Sequence, residues 1–185
     1  MLHIYLGSIS ETDLELKTTA PVDQFRSLVE LSRESDVTFN GPIGVSVRAV
    51  PSGDAVAIDG HAEVDVRLTC SRCLTRFDQH IEIEFSATAI PKENTPPINS
   101  AGEVELTVDD MDIIEFEGDS IDLHEEIAQQ ILMALPFNPL CRGSCKGLCN
   151  RCGADLNHAA CGCNSAEDAS PFAALKALSF PAKKE

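Results

Sequence analysis

Apolar and polar residues alternate with period two through most of residues 37–90, in GVSVRAV, AVAIDGHAEVDVRL and FDQHIEIEFSATAI. Period two is the pattern of a half-buried strand. Ile81, Ile83 and Phe85 fall on one face and Glu82 and Glu84 on the other, which predicts an antiparallel sheet of at least three strands, buried on one side and wet on the other. Pro51-Ser52-Gly53-Asp54 supplies the turn between the first two strands. Residues 1–20 alternate loosely and include an opening strand. After Pro21 the spacing becomes helical, with Val22, Phe25, Leu28 and Val29 sharing a face. Residues 91–103, rich in Pro, Asn and Ser, read as a loop. The acidic stretch 109–126 predicts a short strand from Ile113 to Phe116, then a helix capped by Ser120 or Asp122 that runs to Leu135 and is stopped by Pro136 and Pro139. SPFAALKALSF predicts a short amphipathic helix from Pro171. The fold class is therefore α+β: an antiparallel sheet or partly closed barrel with flanking helices and a C-terminal zinc-binding module. The division falls between residues 1–140, the sheet domain with an N-terminal extension, and residues 141–185, a cysteine-rich module with its terminal helix.

Composition narrows the class. With 43% hydrophobic and 24% charged residues, the 185-residue chain is not a disordered one. No apolar run reaches the roughly 20 residues that span a bilayer. The start, MLHIYLGSIS, lacks the basic region and apolar core of a signal peptide, so a cytoplasmic, non-membrane protein is expected. The net charge of −16 would repel bare nucleic acid if it were evenly spread. Residues 1–140 instead hold 8 Lys+Arg against 26 Asp+Glu, whereas residues 141–185 hold 6 against 4, so the cysteine-rich tail is the electropositive end.

In a reducing compartment eight cysteines read as thiols or metal ligands rather than disulfides. Six lie within residues 141–163, spaced C-x-x-x-C-x-x-x-C-x-x-C and then, eight residues on, C-x-C. Cys149-Asn-Arg-Cys152-Gly has the form of a zinc knuckle, whose turn aims both sulfurs at one ion while the Gly permits φ > 0. Cys161 and Cys163 supply the other pair, so Cys149, Cys152, Cys161 and Cys163 complete one tetrahedral site. Cys70, Cys73, Cys141 and Cys145 remain. Either they join across about 70 residues of chain, a closure whose cost grows only logarithmically with length, or Cys141 and Cys145 merely neighbour the knuckle and Cys70 and Cys73 stay free. One or two zinc ions are thus expected.

Other chemistry is weaker. Cys70-Ser-Arg-Cys73 matches the motif of disulfide oxidoreductases, but it sits between two strand-like runs rather than at a helix N-terminus. His3, His61, His80, His124 and His158 show no paired spacing, and only His158, between Cys152 and Cys161, is placed to replace a thiolate. The acidic run from Asp109 to Asp122 lacks the loop spacing of an EF-hand. No G-x-x-x-x-G-K-[ST] loop or G-x-S-x-G elbow argues for an enzyme. Arg67, Arg72 and Arg76 flank the first cysteine pair, and Arg142, Lys146 and Arg151 thread the tail. If the second site forms, all six meet and can grip phosphates.

CSRCLTRF after a strand, followed by ILMALPFNPLCRGSCKGLCNRCGADLNHAACGC, resembles the YceD family of large ribosomal RNA subunit accumulation proteins. The resemblance covers roughly residues 40–180, with Ala134-Leu135-Pro136, Lys146-Gly147-Leu148-Cys149, Cys152 to Asn157 and Pro171 to Leu175 carrying it. It implies a bacterial or organellar factor for accumulation of large-subunit ribosomal RNA, with no catalytic activity to carry over. The leading expectation is a non-enzymatic zinc protein that binds precursor large-subunit RNA or a ribosomal protein. The alternatives are an acidic protein-interaction adaptor that never touches RNA, and a thiol-redox or RNA-modifying enzyme.

Overall fold

The structure, a computed structural model, describes residues 2–9, 13–94 and 113–163. In chain order these form β1 (His3–Tyr5), β2 (Leu14–Ala20), α1 (Arg26–Glu34), β3 (Thr38–Phe39), β4 (Ile43–Ser52), β5 (Ala55–Thr69), β6 (Arg76–Pro91), β7 (Ile113–Phe116), β8 (Ser120–Asp122) and α2 (His124–Ala134). Strands β2, β4, β5, β6 and β7 lie side by side in that order, β3 pairs with β5, and β1 and β8 make a separate two-stranded ribbon. The mixed α+β class expected from the pattern is the one observed.

The β5–β6 hairpin is the spine of the sheet, paired from Val56↔Ala89 to Thr69↔Arg76. Its alternation sorts side chains as the period demands. Val56, Ile58, Ala62, Val64, Val66 and Leu68 are buried, while Asp59, Glu63, Asp65 and Arg67 are exposed. Gly60 takes the inward position between Ile58 and Ala62, where the Phe85 ring would stand 2.1 Å from an added Cβ, so only a glycine admits the aromatic there. Gly53, at φ +65, opens the two-residue turn between β4 and β5. Phe25, Leu28 of α1 and Ile127, Ala128 and Ile131 of α2 join the inward residues of the strands in one core.

One detail of the sheet goes beyond the expectation. Strand β7 lies parallel to β6, from Thr88↔Ile113 to Pro91↔Phe116; a four-residue alternation says nothing about direction, which the intervening connection sets. Of the two forms expected, an antiparallel sheet or a partly closed barrel, the sheet is the open one, with β2 and β7 as its end strands. At the start of α2, Ser120 belongs to β8 and Leu123, rather than Ser120 or Asp122, takes the N-cap position; from one residue earlier the Asp122 carboxylate accepts the His124 backbone N–H at 3.0 Å and so satisfies one free donor of the first turn. Among the described residues no helix is long and apolar enough to cross a membrane. The segment from Pro171, the acidic positions 109, 110 and 112, and residues 95–103 of the predicted loop lie outside the described residues.

Candidate metal centre

Strand β5 ends at Thr69 and β6 begins at Arg76, so Cys70 to Thr75 form the tip of the longest hairpin. The Cys70 N–H donates to the Thr75 carbonyl at 3.0 Å and the Leu74 N–H to the Cys70 carbonyl at 2.9 Å. Closing so tight a turn puts Leu74 at φ +59, a conformation that leucine seldom adopts. Beyond α2 the chain is laid across this tip. The Pro139 carbonyl receives the Ser71 N–H at 2.8 Å and the Ser71 hydroxyl at 3.1 Å. The Leu148 N–H donates to the Arg72 carbonyl at 3.0 Å, and the Arg72 guanidinium donates to the Cys145 carbonyl at 2.9 Å. Gly147, at φ +75, lets the two segments close on each other: a Cβ there would meet the Arg72 carbonyl oxygen at 3.0 Å.

These bonds gather Cys70, Cys73, Cys141 and Cys145, whose four Sγ atoms lie within 4.8 Å of one another. Cys70 and Cys145 are 3.8 Å apart and Cys73 and Cys141 3.6 Å. A disulfide would need about 2.05 Å, whereas four sulfurs bound at about 2.3 Å to a tetrahedral ion stand about 3.8 Å apart. Cys149, Cys152, Cys161 and Cys163 form a second quartet within the same limit. Here the Gly153 N–H donates to the Cys149 carbonyl at 2.9 Å with Gly153 at φ +73, and the Arg151 N–H points at Cys149 Sγ from 3.5 Å. That is the knuckle geometry. The quartets differ in exposure: Cys70, Cys73 and Cys145 are buried, Cys152 is exposed.

Asn157, to which the sequence pattern assigns no role of its own, ties the loop between Cys152 and Cys161 to the first quartet. Its Oδ1 accepts the Lys146 N–H at 2.9 Å and its Nδ2 donates to Cys145 Sγ at 3.4 Å. Within each quartet the thiols are driven apart. Burial pushes the Cys70 thiol up, but N–H donors on Cys141, Cys73 and Arg72 outweigh it and bring it down to about 6. The N–H groups of Cys152 and Arg151 bring Cys149 down to about 6, and the Asn157 amide draws Cys145 down. Burial and the neighbouring sulfurs push Cys141 up to about 12, while Cys152 and then burial do the same to Cys163. Backbone and amide dipoles thus favour thiolate at chosen sulfurs, and a divalent cation among four of them removes the mutual repulsion that holds the others neutral. The donor set, four soft sulfurs in a tetrahedron, can hold a metal ion of the zinc kind.

The six expected cations do not all serve one surface. Arg67 lies back along β5, its guanidinium paired with both oxygens of Asp78 at 2.7 and 2.9 Å. Arg72 is committed to the Cys145 carbonyl. Arg76, Arg142, Lys146 and Arg151 are exposed and, among the described residues, in no ion pair. The two segments that meet at the cysteines, residues 66–77 and 136–154, hold all six cations and no Asp or Glu. His158 is exposed beside Asp155, outside both quartets. His3 and His124, which no spacing connects, come together with Asp122.

The sequence profile described as large ribosomal RNA subunit accumulation protein YceD matches residues 58–179, a span that includes all eight cysteines. Similar curated proteins include an uncharacterized protein of Mycobacterium leprae (strain TN), 28% identical over 121 residues, 65% of this chain and 52% of that protein. The large ribosomal RNA subunit accumulation protein YCED homolog 1, chloroplastic, of Arabidopsis thaliana is 27% identical over 144 residues, 68% of this chain and 45% of that protein. Its namesake in Zea mays is 27% identical over 135 residues, 63% of this chain and 46% of that protein. The chain spans about half the length of the curated relatives it matches. No solved structure matches it.

Proposed function

This chain belongs to the YceD family of large ribosomal RNA subunit accumulation proteins, and from that premise we propose that it acts without catalysis, as a two-zinc protein that binds precursor large-subunit RNA through its cysteine pole. The observation that carries the reading is the convergence of two cysteine quartets on cation-bearing segments, residues 66–77 and 136–163, in which Asp155 is the one acid, in a chain that is otherwise strongly acidic. Zinc would be held by Cys70, Cys73, Cys141 and Cys145 in one site and by Cys149, Cys152, Cys161 and Cys163 in the other. There it supplies folding energy to loops too polar to pack by themselves. Each zinc tetrathiolate keeps two negative charges. The backbone N–H donors offset part of the charge on the sulfurs and the Arg72 guanidinium holds the Cys145 carbonyl, which leaves Arg76, Arg142, Lys146 and Arg151 for phosphates.

A second reading is favoured by the wet face of the sheet, where Asp59, Glu63, Asp65, Glu82 and Glu84 are all exposed. That face suits a basic partner such as a ribosomal protein, with RNA left untouched. A redox role has less support, because the Cys70–Cys73 pair sits on a hairpin tip and its sulfurs face two more thiols.

Elemental analysis of protein made in reducing conditions with zinc available should return two equivalents of zinc. Less than half an equivalent of any metal would overturn the zinc reading. Co-sedimentation with large-subunit precursors should be lost on ribonuclease treatment and weaken steeply with salt. Association that survives ribonuclease favours the acidic face instead.

A further inference from the structure

Three side chains that neither quartet uses meet at the opposite end of α2 from the cysteines. His3 lies on β1, directly across the ribbon from Asp122 of β8, and His124 opens α2. One ring nitrogen of each histidine and a carboxylate oxygen of Asp122 lie within 4.8 Å of one another. We propose that His3, Asp122 and His124 form a third divalent-metal site, one that binds a borderline cation such as Zn2+, Ni2+ or Co2+ through two imidazoles and one carboxylate.

The cluster is held in place before any ion arrives. Asp122 Oδ1 accepts the His124 backbone N–H at 3.0 Å and stands 2.5 Å from His124 Nδ1, which fixes carboxylate and ring together. The His124 ring, 15% exposed, is held between Phe25 at 5.4 Å and His3 at 5.5 Å between centroids. The bond to the His124 N–H at the helix start explains Asp122 alone, since it needs only a carboxylate near the first free N–H groups. It does not explain why a second imidazole is brought to the same point from the start of the chain. Asp122 is 58% exposed, so an ion can enter from solvent.

The chemistry differs from that of the quartets. Two imidazoles and a carboxylate suit borderline divalent cations better than calcium or magnesium, and three protein ligands leave coordination positions open to water or an anion. The eleven residues of α2 separate this end from the Pro-broken turn toward the cysteines, about 16 Å at about 1.5 Å per residue. An ion here therefore neither shares ligands with the thiolate sites nor depends on their being filled.

Titrating the zinc-replete protein with Co2+ separates the site classes. Cobalt bound by sulfur shows intense charge transfer in the near ultraviolet, whereas cobalt on nitrogen and oxygen shows only weak visible bands. One event without charge transfer is expected, and it should broaden the ring resonances of His3 and His124 while sparing those of His61 and His80. His3→Ala and Asp122→Asn should each weaken it by about tenfold or more; the asparagine side-chain oxygen accepts the His124 N–H as the carboxylate does, so the second variant keeps the start of α2. No binding beyond the events with charge transfer would overturn the proposal. So would broadening confined to His61 and His80, or an event that both variants leave unchanged. If His3→Ala loosens the ribbon, the wild-type broadening pattern and Asp122→Asn still decide.

Discussion

Asp122 shows how much one carboxylate sets. Burial pushes its pKa up, but the backbone N–H and ring of His124 outweigh burial and hold it below its ordinary 3.8. A group whose folded pKa is the lower one contributes its full stability above its unfolded value, and that contribution is lost as pH falls through the folded one. Asp122→Ala should therefore cost about 1 kcal/mol near neutral pH, for the hydrogen bond to the His124 N–H that it loses. Urea unfolding with chelator present should show the gap between wild type and variant closing as pH drops below 3.8. A gap that stays constant down to about pH 2, well below that range, would mean that the carboxylate's charge plays no part. That a carboxylate meets the start of α2 is legible in the sequence, since Asp122 sits just before a helical pattern, but the N-cap position itself falls one residue later, at Leu123. Its neighbour His3 is not, because nothing in a linear spacing links residues so far apart along the chain. Asn157 is equally hidden: an asparagine among glycines and cysteines reads as a turn residue, and only the fold aims its amide at Cys145 Sγ.

Between elements, the informative junction is the one between hairpin tip and tail. Period two makes the strands readable and the C-x-x-C-G spacing makes the knuckle readable. Neither tells whether Cys141 and Cys145 reach Cys70 and Cys73, because loop closure over such a distance is nearly indifferent to where the ends meet. The bonds from Ser71 to Pro139 and from Leu148 to Arg72 supply that answer. The two quartets should then fail differently. Cys152→Ser should lower zinc from two equivalents to about one and raise hydrogen exchange within residues 149–163, leaving β4, β5 and β6 protected, since those strands have their own core. Cys73→Ser should also lower zinc to about one but raise exchange at the amides of Leu74, Cys145 and Leu148, where tip and tail are joined. Unchanged zinc in Cys73→Ser would rule out the joined quartet.

Across the whole molecule the question is where charge acts. The imbalance between residues 1–140 and 141–185 is visible in the sequence. What the fold adds is that residues 66–77, in the acidic part of the chain, are carried to the tail, while Asp59, Glu63, Asp65, Glu82 and Glu84 stay on the outer face of the sheet. It also removes two cations from consideration, since Arg67 is paired with Asp78 and Arg72 holds the Cys145 carbonyl. Replacing either would confound weaker binding with a damaged fold. The decisive variant is therefore Arg76→Glu, Arg142→Glu, Lys146→Glu and Arg151→Glu together, with all eight cysteines kept. Each position is exposed, so stability should move by no more than about 0.5 kcal/mol per site and two zinc ions should remain. Association with large-subunit precursors should vanish. For RNA that is still bound at low salt, the dependence of log K on log salt should flatten by about three, at roughly 0.7 to 0.9 for each phosphate no longer neutralised. The counterpart variant, Glu63→Gln, Asp65→Asn, Glu82→Gln and Glu84→Gln, should leave association intact, because it alters a face that phosphates avoid. If the acidic-face variant is the one that loses the precursors while the basic-pole variant still co-sediments with them, binding runs through the sheet, and the partner is a basic protein rather than RNA.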